Sequence, residues 1–257
     1  MKGIKDIKVI DMHVHMGPIA TMSYEDGSAD DIIAYMDGHG IDFSVCSTNI
    51  DLFYAQSDYS MLEKAMDKYK GRIRGYLLYD PNRGLTVEEA DKRLRGNSGY
   101  IGIKLLPDYH RCYLDGGEYR PILEYADQNH LPVLSHTWGR PGFSCARRAK
   151  EVVKSYPNIS LIMGHSCQGE VDEAIAIAKA CDNAFLDLCD TGRLNGVIEK
   201  MVNTAGAEKI LFGTDWPQHS PVYLMGAVNY ARIPQRAKEM ILRDNALEIF
   251  KKHQIEL

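Results

Sequence analysis

A (β/α)8 barrel is the fold class predicted here, on three observations. Short apolar, β-branched runs alternate with stretches of helical periodicity along the chain; there are eight such runs; and no Pro/Ser-rich linker or change of composition divides the 257 residues. One domain over residues 1–257, with an extra C-terminal helix, is therefore expected, a length that barrels of this kind routinely reach.

The expected strands are residues 7–15, 43–49, 73–80, 100–106, 132–138, 160–167, 184–190 and 209–215. Between them, residues 30–38, 61–69, 87–94, 122–129, 146–155, 171–180 and 197–205 read as amphipathic helices. Apolar spacing carries the assignment: Ile122, Leu123 and Ala126 share one face, and Val152, Val153 and Tyr156 repeat the pattern before Pro157 ends it. Two further helical stretches, 222–231 and 235–250, follow the last strand, with Pro234 between them. One caps the eighth unit and the other is additional. An open doubly wound sheet is the competing architecture. It favours a Gly-rich phosphate turn after the first strand, where this chain has His13-Val14-His15-Met16-Gly17 instead.

Composition narrows the classes of function. At 45% hydrophobic and 25% charged residues the chain is neither disordered nor fibrous. Thirty basic against 35 acidic residues leave a net charge of −5, with no basic field to hold nucleic acid or anionic lipid. No apolar run approaches the ~20 residues of a membrane span, and the first eight residues lack the apolar core of a signal peptide, so a cytoplasmic location is expected. The six cysteines include no CxxC pair and are expected to be reduced thiols.

Chemistry gathers at the ends of the expected strands. His13 and His15 stand at i and i+2, a spacing that points both imidazoles to one side of a strand. Alone, such a pair is weak evidence, since core histidines are common. Yet His136, His165 and Asp215 also close strands, and in a barrel the C-terminal strand ends converge on one mouth. Spacings of 29 residues from His136 to His165 and 50 from His165 to Asp215 fit one and two βα units. Imidazoles and a carboxylate meeting there are suitable donors for a divalent cation, Zn²⁺ first, with Mn²⁺ or Fe²⁺ as alternatives. Unrelated core histidines would require five coincidences of position.

These features resemble the amidohydrolase superfamily of metal-dependent hydrolases, in particular its amidohydrolase-related branch, which also contains decarboxylases. The carriers are Ile10-Asp11-Met12-His13-Val14-His15, Gly102-Ile103-Lys104, Pro132-Val133-Leu134-Ser135-His136, Gly164-His165, Phe212-Gly213-Thr214-Asp215-Trp216-Pro217 and Asn245-Ala246-Leu247-Glu248-Ile249-Phe250, spread over nearly the whole chain. The resemblance implies one metal held by His13, His15, His136 and Asp215, with His165 as general acid or base and Asp215 able to accept a proton as well. In binuclear relatives a carboxylated lysine ends the fourth strand. Lys104 stands there, and the single-metal form, with Lys104 orienting substrate, is the favoured expectation.

Arg140 and Arg111 could clamp an anionic group, although exposed loop arginines are usually just solvated. Trp138 and Trp216 could wall a pocket or pack the rim. Asp187 and Asp190 could orient a ligand imidazole, and His110 and His219 follow barrel strands. Cys167 is read as a small buried hydrophobe.

The expected activity is hydrolysis of an amide, lactone or ester of a small substrate by a metal-activated water. The alternative is non-oxidative decarboxylation of an aromatic or unsaturated acid. A three-metal phosphoesterase barrel fits Gly213-Thr214-Asp215-Trp216-Pro217 poorly, and a catalytically silent barrel would lack one of the key residues. The partner is a small molecule; the sequence leaves homo-oligomer formation open.

Overall fold

A computed structural model of the chain describes residues 8–18, 27–49, 59–139 and 142–256. It is a TIM barrel. Strands β1 (Ile10–Met16), β2 (Phe43–Thr48), β3 (Ile73–Leu78), β4 (Tyr100–Leu105), β5 (Pro132–His136), β6 (Ser160–Gly164), β7 (Ala184–Asp187) and β8 (Ile210–Leu211) follow one another around an eight-stranded sheet. Every neighbouring pair is parallel. Helices connect them: three of the expected ones, Ala146–Ser155, Val171–Ala180 and Val197–Ala205, appear with the boundaries read from sequence. Side-chain caps start two others, where Ser28 pairs with Asp31 and Thr86 with Glu89 in reciprocal capping boxes.

The eighth strand is shorter than the expected 209–215, because past Leu211 the chain no longer pairs with β7 and turns to β1 instead. The Met12 amide donates to the Phe212 carbonyl at 2.9 Å, the Asp215 amide to the His13 carbonyl at 2.7 Å and the His15 amide to the Trp216 carbonyl at 2.7 Å. These bonds close the seam and carry Asp215 to the mouth.

The barrel interior is layered. Its lower layer is apolar: Ile10, Met12, Phe43, Val45, Tyr76, Ile101, Leu134, Ile162 and Leu211 pack together with Ala246, Ile249 and Phe250. The additional C-terminal helix, Asn245–Lys252, thus plugs the end opposite the strand C-termini, with Phe250 set edge-on against Phe43 at 5.9 Å. The stretch expected as one helix over 235–250 is broken by a π-helical segment, Met240–Asp244, which leaves the Ile241 carbonyl free to accept from the Phe212 amide at 3.1 Å. Among the described residues, no helix is long and apolar enough to cross a membrane.

One irregularity positions the chemistry. Ile10 opposes Phe43 and Asp11 opposes Ser44, but Val14 opposes Cys46 and His15 opposes Ser47, so Met12 and His13 together face the single residue Val45. This β-bulge changes the phase of the alternation. Below it, Ile10 and Met12 fill the apolar layer; above it, Val14 and Met16 join the outer core beneath the helices, and His13 and His15 turn inward. Outside the bulge, the buried Asp11 carboxylate accepts from the His13 amide, the Tyr35 hydroxyl, and the Thr214 amide and hydroxyl, tying β1, the first helix and the loop after β8 into one unit.

Candidate active site

His13, His15 and Asp215 come together at the C-terminal mouth, and all three are buried. Their donor atoms form a triangle: His13 Nε2 to His15 Nε2 is 3.2 Å, His15 Nε2 to Asp215 Oδ1 is 3.0 Å, and His13 Nε2 to Asp215 Oδ1 is 3.5 Å. Metal–ligand distances of ~2.0–2.2 Å place neighbouring donors of a tetrahedral or octahedral shell about 3.0–3.6 Å apart, so the triangle has the dimensions a divalent cation requires. The outer nitrogens support that reading. His13 Nδ1 lies 2.7 Å from Asp187 Oδ2 and His15 Nδ1 3.2 Å from Ser47 Oγ, so a hydrogen on each leaves both Nε2 lone pairs aimed at the triangle. Two imidazole nitrogens and a carboxylate oxygen converging at these distances, with the Lys104 ammonium beside them, form a donor set that suits a cation.

Burial and neighbouring charge shift the groups around this triangle. Burial above all, reinforced by Lys104, lowers His15 to a pKa of about 4 despite its bond to Asp215, and burial with Lys104 takes His136 to about 3. His165 is pushed well below the ordinary imidazole value by burial and by His136. Burial alone would raise the Asp215 carboxyl, but His13, His15 and His165 outweigh it and hold it well below the usual carboxylate range. Burial lowers Lys104 to about 8; its ammonium is completely enclosed, 2.7 Å from His13 Nε2.

Strained backbone delivers several of these groups. β6 stops at Gly164, short of the expected 167, because His165, Ser166 and Cys167 adopt left-handed φ values of 62°, 46° and 50°. Asp190 and Asp215 do the same at 55° and 59°. Such conformations cost about 1–3 kcal/mol each and persist only when surrounding bonds fix them. Here the Cys167 amide donates to Thr137 Oγ1, Ser166 Oγ to the Asp187 carbonyl, Thr191 Oγ1 to the His165 carbonyl and the Gln218 amide to the Asp215 carbonyl.

A cavity of about 460 Å³ opens above the triangle. Its floor is His15, Lys104, His136, His165 and Asp215, with Leu106, Tyr109 and Trp138 on one wall and Asp190, Arg193 and His219 on the other. The His136 ring is layered with Trp138 at 5.6 Å and 7° and meets His165 edge-on at 4.7 Å. His136 lies outside the three-donor triangle; its Nε2 is 3.8 Å from Asp108 Oδ2. Arg140 falls outside the described residues.

Other sequence candidates separate cleanly. Trp216 stacks on Tyr35 instead of walling the cavity, His110 is bonded to the Tyr119 hydroxyl, and Arg111 is exposed away from the site. Cys167 is buried and does not line this cavity. Asp187 orients His13, Asp190 holds Arg193 at 3.0 Å, and His219 reaches the rim. Tyr109, Arg193, Asp108 and Cys189 are among the residues not singled out from sequence. Arg193 and Asp108 line the cavity, and Cys189 is fully buried, with Sγ 2.8 Å from Asp187 Oδ2. Cys189 follows Asp187 by two residues, the spacing of His13 and His15, and that was the available signal.

The family model for amidohydrolases matches residues 10–252. The chain belongs to the amidohydrolase family. No curated protein matches it significantly in sequence. Solved structures similar to this amidohydrolase include 2,6-dihydroxybenzoate decarboxylase from Rhizobium, with a TM-score of 0.73 at 17% identity over 95% of this chain and 99% of the other. A 5-carboxyvanillate decarboxylase from Novosphingobium aromaticivorans, complexed with manganese, gives a TM-score of 0.74 at 14% identity over 96% and 97%. A probable 2-pyrone-4,6-dicarboxylic acid hydrolase from Acinetobacter baumannii gives 0.68 at 15% identity over 95% and 100%. Amidohydrolase architecture is thus shared by hydrolases and decarboxylases.

Proposed function

We propose that this amidohydrolase is a metal-dependent hydrolase cleaving an ester, lactone or amide of a flat, carboxylated ring compound. The observation that carries the reading is the donor triangle at the cavity floor, one corner of which, Asp215, is held well below the usual carboxylate range, with the His165 ring, pushed well below the ordinary imidazole value, beside it. His13, His15 and Asp215 would hold the ion, with His136 beside them. A divalent cation, Zn²⁺ or Mn²⁺, would supply an acidified water and polarise the substrate carbonyl.

The remaining work falls to the chain. His165 or Asp215 accepts the proton that water loses on attack and returns it to the leaving oxygen or nitrogen. Lys104, enclosed beside His13, is a cation for a substrate oxygen or carboxylate, the role Arg140 would share. Tyr109 and Trp138, half-exposed at the mouth, offer ring faces to a flat substrate.

Decarboxylation is the second reading, favoured by a separate observation. The layered His136 and Trp138 rings make a wall suited to a flat aromatic acid, and two of the similar structures are decarboxylases of such acids.

One experiment separates the readings. The protein, loaded with Zn²⁺ or Mn²⁺ and assayed before and after chelation, is offered lactones and esters of pyrone and benzoic acids, and hydroxybenzoic acids. Metal-dependent acid release without CO₂ supports hydrolysis; CO₂ release supports the second reading. A protein that binds no metal overturns both.

A further inference from the structure

We propose that the Cys189 thiol fixes the tautomer of His165, holding the ring hydrogen on Nδ1 so that a bare Nε2 is left for the cavity. Cys189 is completely buried, and its Sγ has three polar neighbours: Asp187 Oδ2 at 2.8 Å, His165 Nδ1 at 3.2 Å and His13 Nδ1 at 3.3 Å. A thiol has one hydrogen to give, so its destination decides the rest.

His13 does not receive it. Its Nδ1 lies 2.7 Å from the same Asp187 oxygen and donates there, because its Nε2 faces the donor triangle. Of the two acceptors left, the Asp187 carboxylate is nearer and carries negative charge, which makes it the stronger acceptor. The S–H therefore points to Asp187, and the sulfur turns its lone pairs to His165 Nδ1. Two lone pairs facing each other repel, so Nδ1 must hold a hydrogen and donate it to sulfur.

A neutral imidazole has only one ring hydrogen. With it committed to Cys189, Nε2 is an acceptor. No described residue bonds that nitrogen, and the ring lines the cavity. The chain Asp187, Cys189, His165 is thus a relay of hydrogen bonds that polarise one another. Cys189 is a positioning residue. It acts through His165, which it prepares to take a hydrogen from a water or a substrate hydroxyl.

The kinetic consequence rests on the hydrolytic reading; the tautomer does not. The test uses Zn²⁺-loaded, diamagnetic protein labelled with ¹⁵N-histidine, with His165 assigned by the resonances missing from His165→Asn. The parent should show a protonated Nδ1 and a bare Nε2. Cys189→Ser, whose hydroxyl can donate and accept in the same way, should keep that pattern. Cys189→Val removes the acceptor and should shift His165 towards the Nε2–H form, with kcat for the lactone substrate falling at least about tenfold and KM unchanged. Should Cys189→Val fail to fold, Cys189→Ala serves the same purpose. A parent with hydrogen on Nε2, or a Val or Ala variant with an unchanged tautomer, overturns the proposal. A protein inactive on every lactone that nevertheless shows the Cys189-dependent tautomer refutes the hydrolytic reading alone.

Discussion

His13 on β1 and Asp187 at the end of β7, the strands flanking β8, are joined by a bond of 2.7 Å from the imidazole Nδ1 to the carboxylate Oδ2. They are 174 residues apart in sequence, yet neither is placed independently of the other. The carboxylate sets which ring nitrogen keeps its hydrogen and therefore which one can hold a cation. Replacing Asp187 by Asn keeps the shape and removes the charge. We expect metal affinity to fall by about 10–100-fold, read by competition with a chromogenic chelator. An affinity within twofold of the parent would show that His13 is oriented by other contacts.

Gly213 is the space in which that pair meets. A Cβ there would stand 2.2 Å from Asp187 Oδ1 and 2.8 Å from the Cβ of His13, both distances that force movement. Gly213→Ala should therefore lower bound metal as well as stability, the latter by about 1–3 kcal/mol as other overpacked interiors do. Chemical denaturation and elemental analysis of the same preparation provide the two readouts. Full metal occupancy in a normally stable Gly213→Ala protein would mean that the barrel relaxes around the methyl group.

The barrel was legible because its strands are apolar runs buried on both faces, and because Pro157 and Pro234 punctuate the helices locally. The gathering of His13, His15 and Asp215 was legible too, since strand ends in a barrel share one mouth. What stayed hidden depends on long-range pairing. Simple alternation explains His13 with His15 but not how both turn inward above Ile10 and Met12; the bulge opposite Val45 does that, and it is visible only once β2 is paired. The early end of β8 arises likewise from competition between β7 and β1 for the chain after Leu211. Cys189 looked like any lone thiol until Asp187 and His165 were brought to it.

His13 and His136 should differ as metal ligands. His13 belongs to the triangle and is braced by Asp187, whereas His136 stands beside it, layered on Trp138. Losing His13 should abolish metal binding; losing His136 should weaken it by about tenfold or more while some ion remains at high concentration. Elemental analysis of His13→Ala and His136→Ala after dialysis against graded Zn²⁺ separates the two. Equal loss in both variants would place His136 in the coordinating set on the same footing as His13.

Acid should loosen the metal-free protein, and the sign follows from the buried imidazoles. His15, His110 and His253 are held near pKa 4, and His136 near 3, chiefly by burial, against 6.5 for the unfolded side chain. Between those values the unfolded chain binds more protons than the folded one, so the stability present above pH 6.5 is lost as pH falls towards 4. For the fully buried His15 the loss reaches about 3 kcal/mol at most. Asp11 works the other way. Burial raises its carboxyl to about 6, so the folded state takes that proton more readily and gains stability as pH falls through 6, but one carboxyl does not offset four imidazoles. The denaturation midpoint of chelator-treated protein should therefore drop between pH 7.5 and 5. His253→Gln, which keeps hydrogen-bonding groups near Ser160 Oγ without titrating, should make the drop shallower. A midpoint that holds or rises over this range would show that these rings are charged, or open to water, in the folded protein.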